Sequence, residues 1–173
     1  MLACAITIYI GPGANGSGIA EFMGVMNGIN YPNFLTFTSL FAKITGTILA
    51  VSGGLAIGKE GPLLHIGAIL GVLVIYLPFE KFKFMQNDKT KREFIAAGGA
   101  CGVAAAFGAP IGGALFTYEM SSPNTFWTFE MLWRVFFSTA WAVFTISIMT
   151  SLEHATPIAI ADTAILKFGV LDN

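Results

Sequence analysis

Apolar residues run along this chain in blocks at roughly 34–57, 62–79, 94–118 and 126–151, each near the ~20 residues a helix needs to cross a bilayer. The blocks are broken by glycine and proline, at Gly16, Gly18, Gly53, Gly54, Gly58, Gly61, Pro62, Gly98, Gly99, Gly102, Gly108, Pro110, Gly112 and Gly113. Backbone freed by such breaks survives at membrane depth only where it is buried in protein or lines a cavity. The pattern predicts helical pieces near 2–9, 18–29, 37–53, 61–78, 91–106, 109–120 and 126–150. The pieces at 91–106 and 109–120 are too short to span upright and read as a hairpin of tilted or re-entrant helices. Glycines recur at GxxxG spacing in Gly24/Gly28, Gly54/Gly58, Gly67/Gly71, Gly98/Gly102 and Gly108/Gly112. That spacing lets helices approach closely and predicts a compact bundle.

Composition sharpens this into an all-α, multi-pass integral membrane protein. Of 173 residues 55% are hydrophobic and 11% charged, against about 25% charged in soluble domains. A net charge of −1 argues against a nucleic-acid partner. Cys4 and Cys101 both lie in apolar sequence and imply neither a disulfide framework nor a metal cluster. Met1 to Ile10 is apolar but lacks the basic flank and cleavage site of a signal peptide. The basic segment from Glu80 to Glu93, with Lys81, Lys83, Lys89, Lys91 and Arg92, is expected on the cytoplasmic side. The loop around Glu153, His154, Pro157 and Asp162 is expected on the opposite side.

Candidate chemistry sits where charge interrupts the apolar blocks. In Gly58-Lys59-Glu60-Gly61-Pro62 a carboxylate stands at an expected helix start. An ionisable group at membrane depth is a functional-site hypothesis by default, and a helix N-terminus presents free N–H groups to anions. Gly16-Ser17-Gly18-Ile19 is a second glycine-framed helix start. Ser17 occupies the expected N-cap position there, and its hydroxyl can equally serve an anion. Residues Gly53 to Lys59 approach a phosphate-binding loop. Glu60 stands where that motif needs Ser or Thr for magnesium, and the segment lies in membrane sequence, so that reading is rejected. His65, about one turn past Gly61, reads as a hydrogen-bonded structural residue, with a proton relay as the minority role. The segment Phe107 to Met120 predicts a helix opened by Pro110 and closed at Glu119, which is expected either solvated or paired with a cation such as Arg134.

Taken in order, Gly16-Ser17-Gly18-Ile19, Gly58-Lys59-Glu60-Gly61-Pro62 and Phe107 to Glu119 resemble the signature segments of the CLC family of chloride channels and chloride/proton exchangers. The run Ala96 to Pro110 strengthens the resemblance, and Phe126-Trp127 with Leu166-Lys167-Phe168-Gly169 resembles its organellar branch. The resemblance implies a bundle of tilted and broken helices with one anion pathway per subunit. Residues 1–173 would be the N-terminal half of the transmembrane domain, one half of an inverted repeat whose second half has no match here. It implies a homodimer in a full-length parent, with helices near 91–120 and 126–150 at the dimer surface. Chloride is the implied substrate with no cofactor, and protons and membrane lipid are further implied partners. Both an organellar and a plasma membrane fit.

By the same resemblance Gly16, Ser17, Gly18, Ile19, Gly58, Glu60 and Gly61 bind the anion, and Glu60 is its gate. An ionised Glu60 can occupy an anion position; a protonated or displaced one admits the halide. A serine at position 17 is expected to favour chloride over nitrate. Two positions depart from the family pattern. Ala20 replaces the usual proline and is compatible with a helix start. Met120 stands where exchangers carry the internal proton-transfer glutamate, and Met carries no proton. This favours a Glu-gated anion channel, with a chloride/proton exchanger using Glu119 as the inner relay, or a non-transporting half-protein, as alternatives. Glu119 lies roughly 100° around the helix from position 120. No enzymatic activity is expected. The competing class, a hydrolase built from Ser17, His65 and Glu60, predicts a covalent Ser17 intermediate.

Overall fold

The structure is a computed structural model that describes residues 1–76, 87–121 and 127–153. Seven α-helices account for most of the described residues, with no strand among them. They are α1 Leu2–Tyr9, α2 Ile19–Met26, α3 Phe37–Ser52, α4 Glu60–Ile75, α5 Asp88–Phe107, α6 Pro110–Ser121 and α7 Phe129–Glu153; a 3₁₀ turn, Pro12–Ala14, joins the first two. The expected elements are all present. Residues 80–86 of the basic segment, the loop beyond Glu153, Phe126 and Leu166–Gly169 lie outside the described residues.

The helix boundaries follow local chemistry. The Thr36 hydroxyl caps α3 by accepting from Ser39 N–H. Helix α5 ends at Gly108, whose φ of 65° suits a residue without a Cβ. Ala109 N–H closes that turn on the Ala104 carbonyl at 3.2 Å, and Pro110 opens α6 in the next step. This is the expected hairpin, with one difference. Helix α5 begins at Asp88 and has 20 residues, because its first turns are built from the charged run Asp88 to Glu93. Among the described residues only Phe129–Leu152, in α7, is both long and apolar enough to cross a membrane upright.

The core sits between α2, α4, α5, α6 and α7, around Phe22, Met26, Leu64, Ala68, Ile95, Ala100 and Val135. Its tightest contact is the α4–α5 crossing. Gly67 and Gly98 face each other so closely that a methyl group on either would overlap the opposite carbonyl. Gly102 lies against the Leu63 carbonyl and Gly71 against that of Phe94. Two of the five GxxxG spacings therefore build one interface. The others do not: Gly24 packs under the Tyr31 ring, Gly54 is in open space, and Gly112 meets only the Ala109 methyl.

Candidate functional site

The site is built from two helix starts that meet. Helix α2 begins after Gly16 and Gly18, both at positive φ (68° and 88°). The N-cap is Gly18, not Ser17 as expected from sequence. The left-handed turn at Gly18 places Ser17 one residue outside the helix, where its Oγ accepts from Ile19 N–H at 3.4 Å. Phe22 N–H is the first in α2 to reach its i−4 carbonyl, that of Gly18, so the earlier amides find no carbonyl within the helix, and Ile19 N–H is held by the Ser17 hydroxyl instead.

Helix α4 begins at Glu60 itself, so the carboxylate belongs to its first turn rather than preceding it. Leu63 N–H is the first to find its i−4 carbonyl, on Lys59 at 3.0 Å. Pro62 has no N–H, so Glu60 and Gly61 supply the open donors. The Glu60 carboxylate folds back over Gly58, with Oε2 lying where a side chain at position 58 would begin. Glycine at 58 is therefore what lets the carboxylate fold back. Gly61 touches Ser17: a Cβ at Gly61 would stand 2.8 Å from the Ser17 Cβ. The two helix N-termini thus present their donors side by side.

Both starts open on a cavity of about 810 Å³. Six of the seven residues expected to bind the anion line it: Gly16, Ser17, Ile19, Gly58, Glu60 and Gly61. Gly18 does not; it is buried behind the turn, against the ring of His65. The remaining wall is mostly apolar, with Ile8, Leu55 and Ile57, and with Thr7 and Thr47 as polar points.

The cavity also holds a residue that sequence reasoning missed. Lys43 of α3 lines it and is 4% exposed. Its Nζ donates to the carbonyls of Ala14 at 3.0 Å and Gly16 at 2.7 Å. These bonds staple the loop before Ser17 onto α3. Carbonyls satisfy hydrogen bonds but carry no net charge, and the ion pair among the described residues, Glu130 with Arg134 at 3.6 Å, is elsewhere and exposed. An ammonium buried without a carboxylate in contact favours an anion beside it. The available signal was a lone lysine inside an apolar helical run.

His65 is fully buried. Its Nε2 bonds the Phe34 carbonyl at 2.8 Å and its ring stacks on that of Phe34, as a structural histidine would. No hydrogen bond joins it to Ser17 among the described residues, so the hydrolase reading lacks the nucleophile–base contact it needs. Glu119 and Met120 lie on α6, away from the cavity: Glu119 is exposed and Met120 packs on the core. Of the two expectations for Glu119, it meets the first: it is exposed to the surroundings, while Arg134 pairs with Glu130.

Amide donors, a hydroxyl and a buried lysine on an apolar-walled cavity make a site that can receive a small anion, with the Glu60 carboxylate folded beside it. Among the described residues the architecture is all-helical, and the apolar composition is that of an integral membrane protein. Residues 1–170 match the family model described as voltage gated chloride channel. The chain is 36% identical over 99% of its length to the H(+)/Cl(-) exchange transporter 7 of Bos taurus, covering 22% of that protein. It is 40% identical over 97% of its length to chloride channel protein A of Dictyostelium discoideum, covering 20% of it. It is 41% identical over 81% of its length to chloride channel protein CLC-a of Arabidopsis thaliana, covering 19% of it. This chain belongs to the CLC family of voltage-gated chloride channels and chloride/proton exchangers, and spans about a fifth of the length of these curated relatives.

Proposed function

We propose that the protein carrying this chain moves chloride across a membrane through the cavity between α1, α3 and the starts of α2 and α4, with Glu60 as its gate, and that it works as a chloride/proton exchanger. The observation that carries the transport reading is the convergence of the Ser17 turn, the Glu60–Gly61 helix start and Lys43 on one cavity. Chloride and the Glu60 carboxylate compete for the same amide donors. Protonating the carboxylate removes its repulsion of chloride, so proton and anion binding favour each other. The exchanger reading is supported by relatives named H(+)/Cl(-) exchange transporter 7, which match essentially the whole chain.

A channel is the second reading, and the observation favouring it is Met120, an apolar side chain packed on the core, where the resemblance implies a proton-carrying glutamate in exchangers. The exchanger reading takes Glu119, exposed on the same helix, as the inner relay. In either case residues 1–173 act as the first of two inverted halves, chloride is substrate rather than cofactor, and the working unit is a homodimer in lipid.

Reconstituting the parent protein and recording chloride efflux and proton uptake in the same vesicles tests this. Uptake of protons driven by chloride efflux is expected. Chloride efflux without proton movement makes it a channel. Absence of chloride flux from the parent overturns the transport reading, and absence of flux from this chain alone identifies a half that needs its second half.

A further inference from the structure

The buried face of the Ser17 turn rests on a side chain that the anion site itself does not use. His65 stands one turn below Gly61 on α4 and is completely buried. A carbonyl only accepts, so the bond from His65 to the Phe34 carbonyl at 2.8 Å fixes the hydrogen on Nε2. The ring is held again by stacking on Phe34, with centroids 4.0 Å apart and planes 10° from parallel. Phe34 is itself buried and lies in the segment joining α2 to α3. The imidazole is thereby locked in one tautomer and one orientation.

The opposite edge of this ring faces Gly18. A Cβ at Gly18 would stand 3.0 Å from the His65 Cβ and 3.1 Å from its Nδ1. Nδ1 has no hydrogen-bond partner among the described residues. The ring edge therefore lies against the turn without a hydrogen bond, and the anchoring of the side chain on Phe34 decides how deep the turn sits.

We infer that His65 is a positioning residue for anion selectivity: anchored on Phe34, its imidazole is the floor that holds the Ser17–Gly18–Ile19 turn at the height where its donors meet the anion. The inference rests on reading that turn as an anion site. Selectivity follows because a displacement of a few tenths of an ångström alters the spacing between the Ser17 hydroxyl and the amides of the two helix starts. A small spherical halide and a broader planar nitrate respond differently to that spacing.

The test is the chloride-to-nitrate flux ratio of the reconstituted parent protein carrying His65→Leu, His65→Gln or Ser17→Ala. His65→Leu removes the anchor and the flat ring and is expected to shift the ratio fivefold or more. His65→Gln restores a donor for the Phe34 carbonyl and is expected to stay within twofold of wild type, which loss of packing alone does not predict. A wild-type ratio in a conducting His65→Leu protein overturns the inference, provided that Ser17→Ala shifts it. An unshifted ratio in Ser17→Ala overturns the anion-site reading beneath it. Should His65→Leu not fold, Phe34→Leu removes the stacking partner while keeping the carbonyl; a shift towards nitrate supports the inference and an unshifted ratio overturns it.

Discussion

At its first turn α4 keeps its backbone donors open to a cavity; along its middle it presses its backbone against α5. Glycine serves both regions in opposite ways. At Gly58 and Gly61 the missing side chain leaves room for the Glu60 carboxylate and for Ser17. At Gly67 and Gly71 it lets two helices meet at the distance of their own carbonyls. The first region gathers polar groups on the cavity and the second holds the helix that presents them. A change in the second should abolish the protein, and a change in the first should alter what a folded protein does.

The largest effect is expected at the crossing. Gly98→Leu drives a side chain into the Gly67 backbone, which cannot swing aside as a side chain would. A cost above about 3 kcal/mol is expected, at the severe end for overpacking, with no monodisperse protein on size-exclusion chromatography in detergent. A normal elution profile would break the contrast between the two regions. Gly112→Ala is its control, since a new Cβ there meets only the Ala109 methyl at 3.4 Å; wild-type yield is expected.

Next comes the gate. Glu60→Gln keeps the shape of the side chain and removes its charge and its proton. Proton movement coupled to chloride is expected to fall at least tenfold, and the dependence of chloride flux on pH to flatten, both read in vesicles. Retained pH dependence in a conducting variant would count against Glu60 as the gate.

Lys43→Met should follow. It removes a buried cation and both bonds to the loop before Ser17. Chloride affinity is expected to weaken roughly tenfold, or about 1.4 kcal/mol, as read by chloride titration of flux. An unchanged affinity would make Lys43 a staple only. The smallest effect is expected from Ser17→Pro, which removes the hydroxyl together with the backbone N–H at that position: a shift of a few-fold in flux preference towards nitrate. Equal ratios before and after would remove the Ser17 hydroxyl from the coordination.

The sequence revealed the helices more readily than their meetings. Blocks of apolar residues bounded by Gly and Pro located α3, α4 and the α5–α6 hairpin closely, because those boundaries are set by local backbone chemistry. Helix α5 starts three residues earlier than the pattern predicts, at Asp88 rather than position 91, since helix period is hard to see where no apolar face exists. Ser17 was expected to cap α2 because capping is usually read from residue type; the left-handed turn at Gly18 moved the cap by one position. Which GxxxG pairs touch depends on the facing helix and could not be read from one strip of sequence. Lys43 and His65 make their decisive contacts with Gly16 and Phe34, 27 and 31 residues away. Periodicity carries no record of such distant pairs.

Under the proposed mechanism the Glu60 carboxylate and chloride compete for one set of donors. Calorimetric titration of chloride into the purified parent protein and its Glu60→Gln variant, at neutral pH and equal ionic strength, tests it most directly. Competition predicts chloride binding at least tenfold tighter in the variant, because the tethered anion no longer occupies the site. Equal affinity in the two proteins would show that Glu60 and chloride do not share those donors, and would contradict the account.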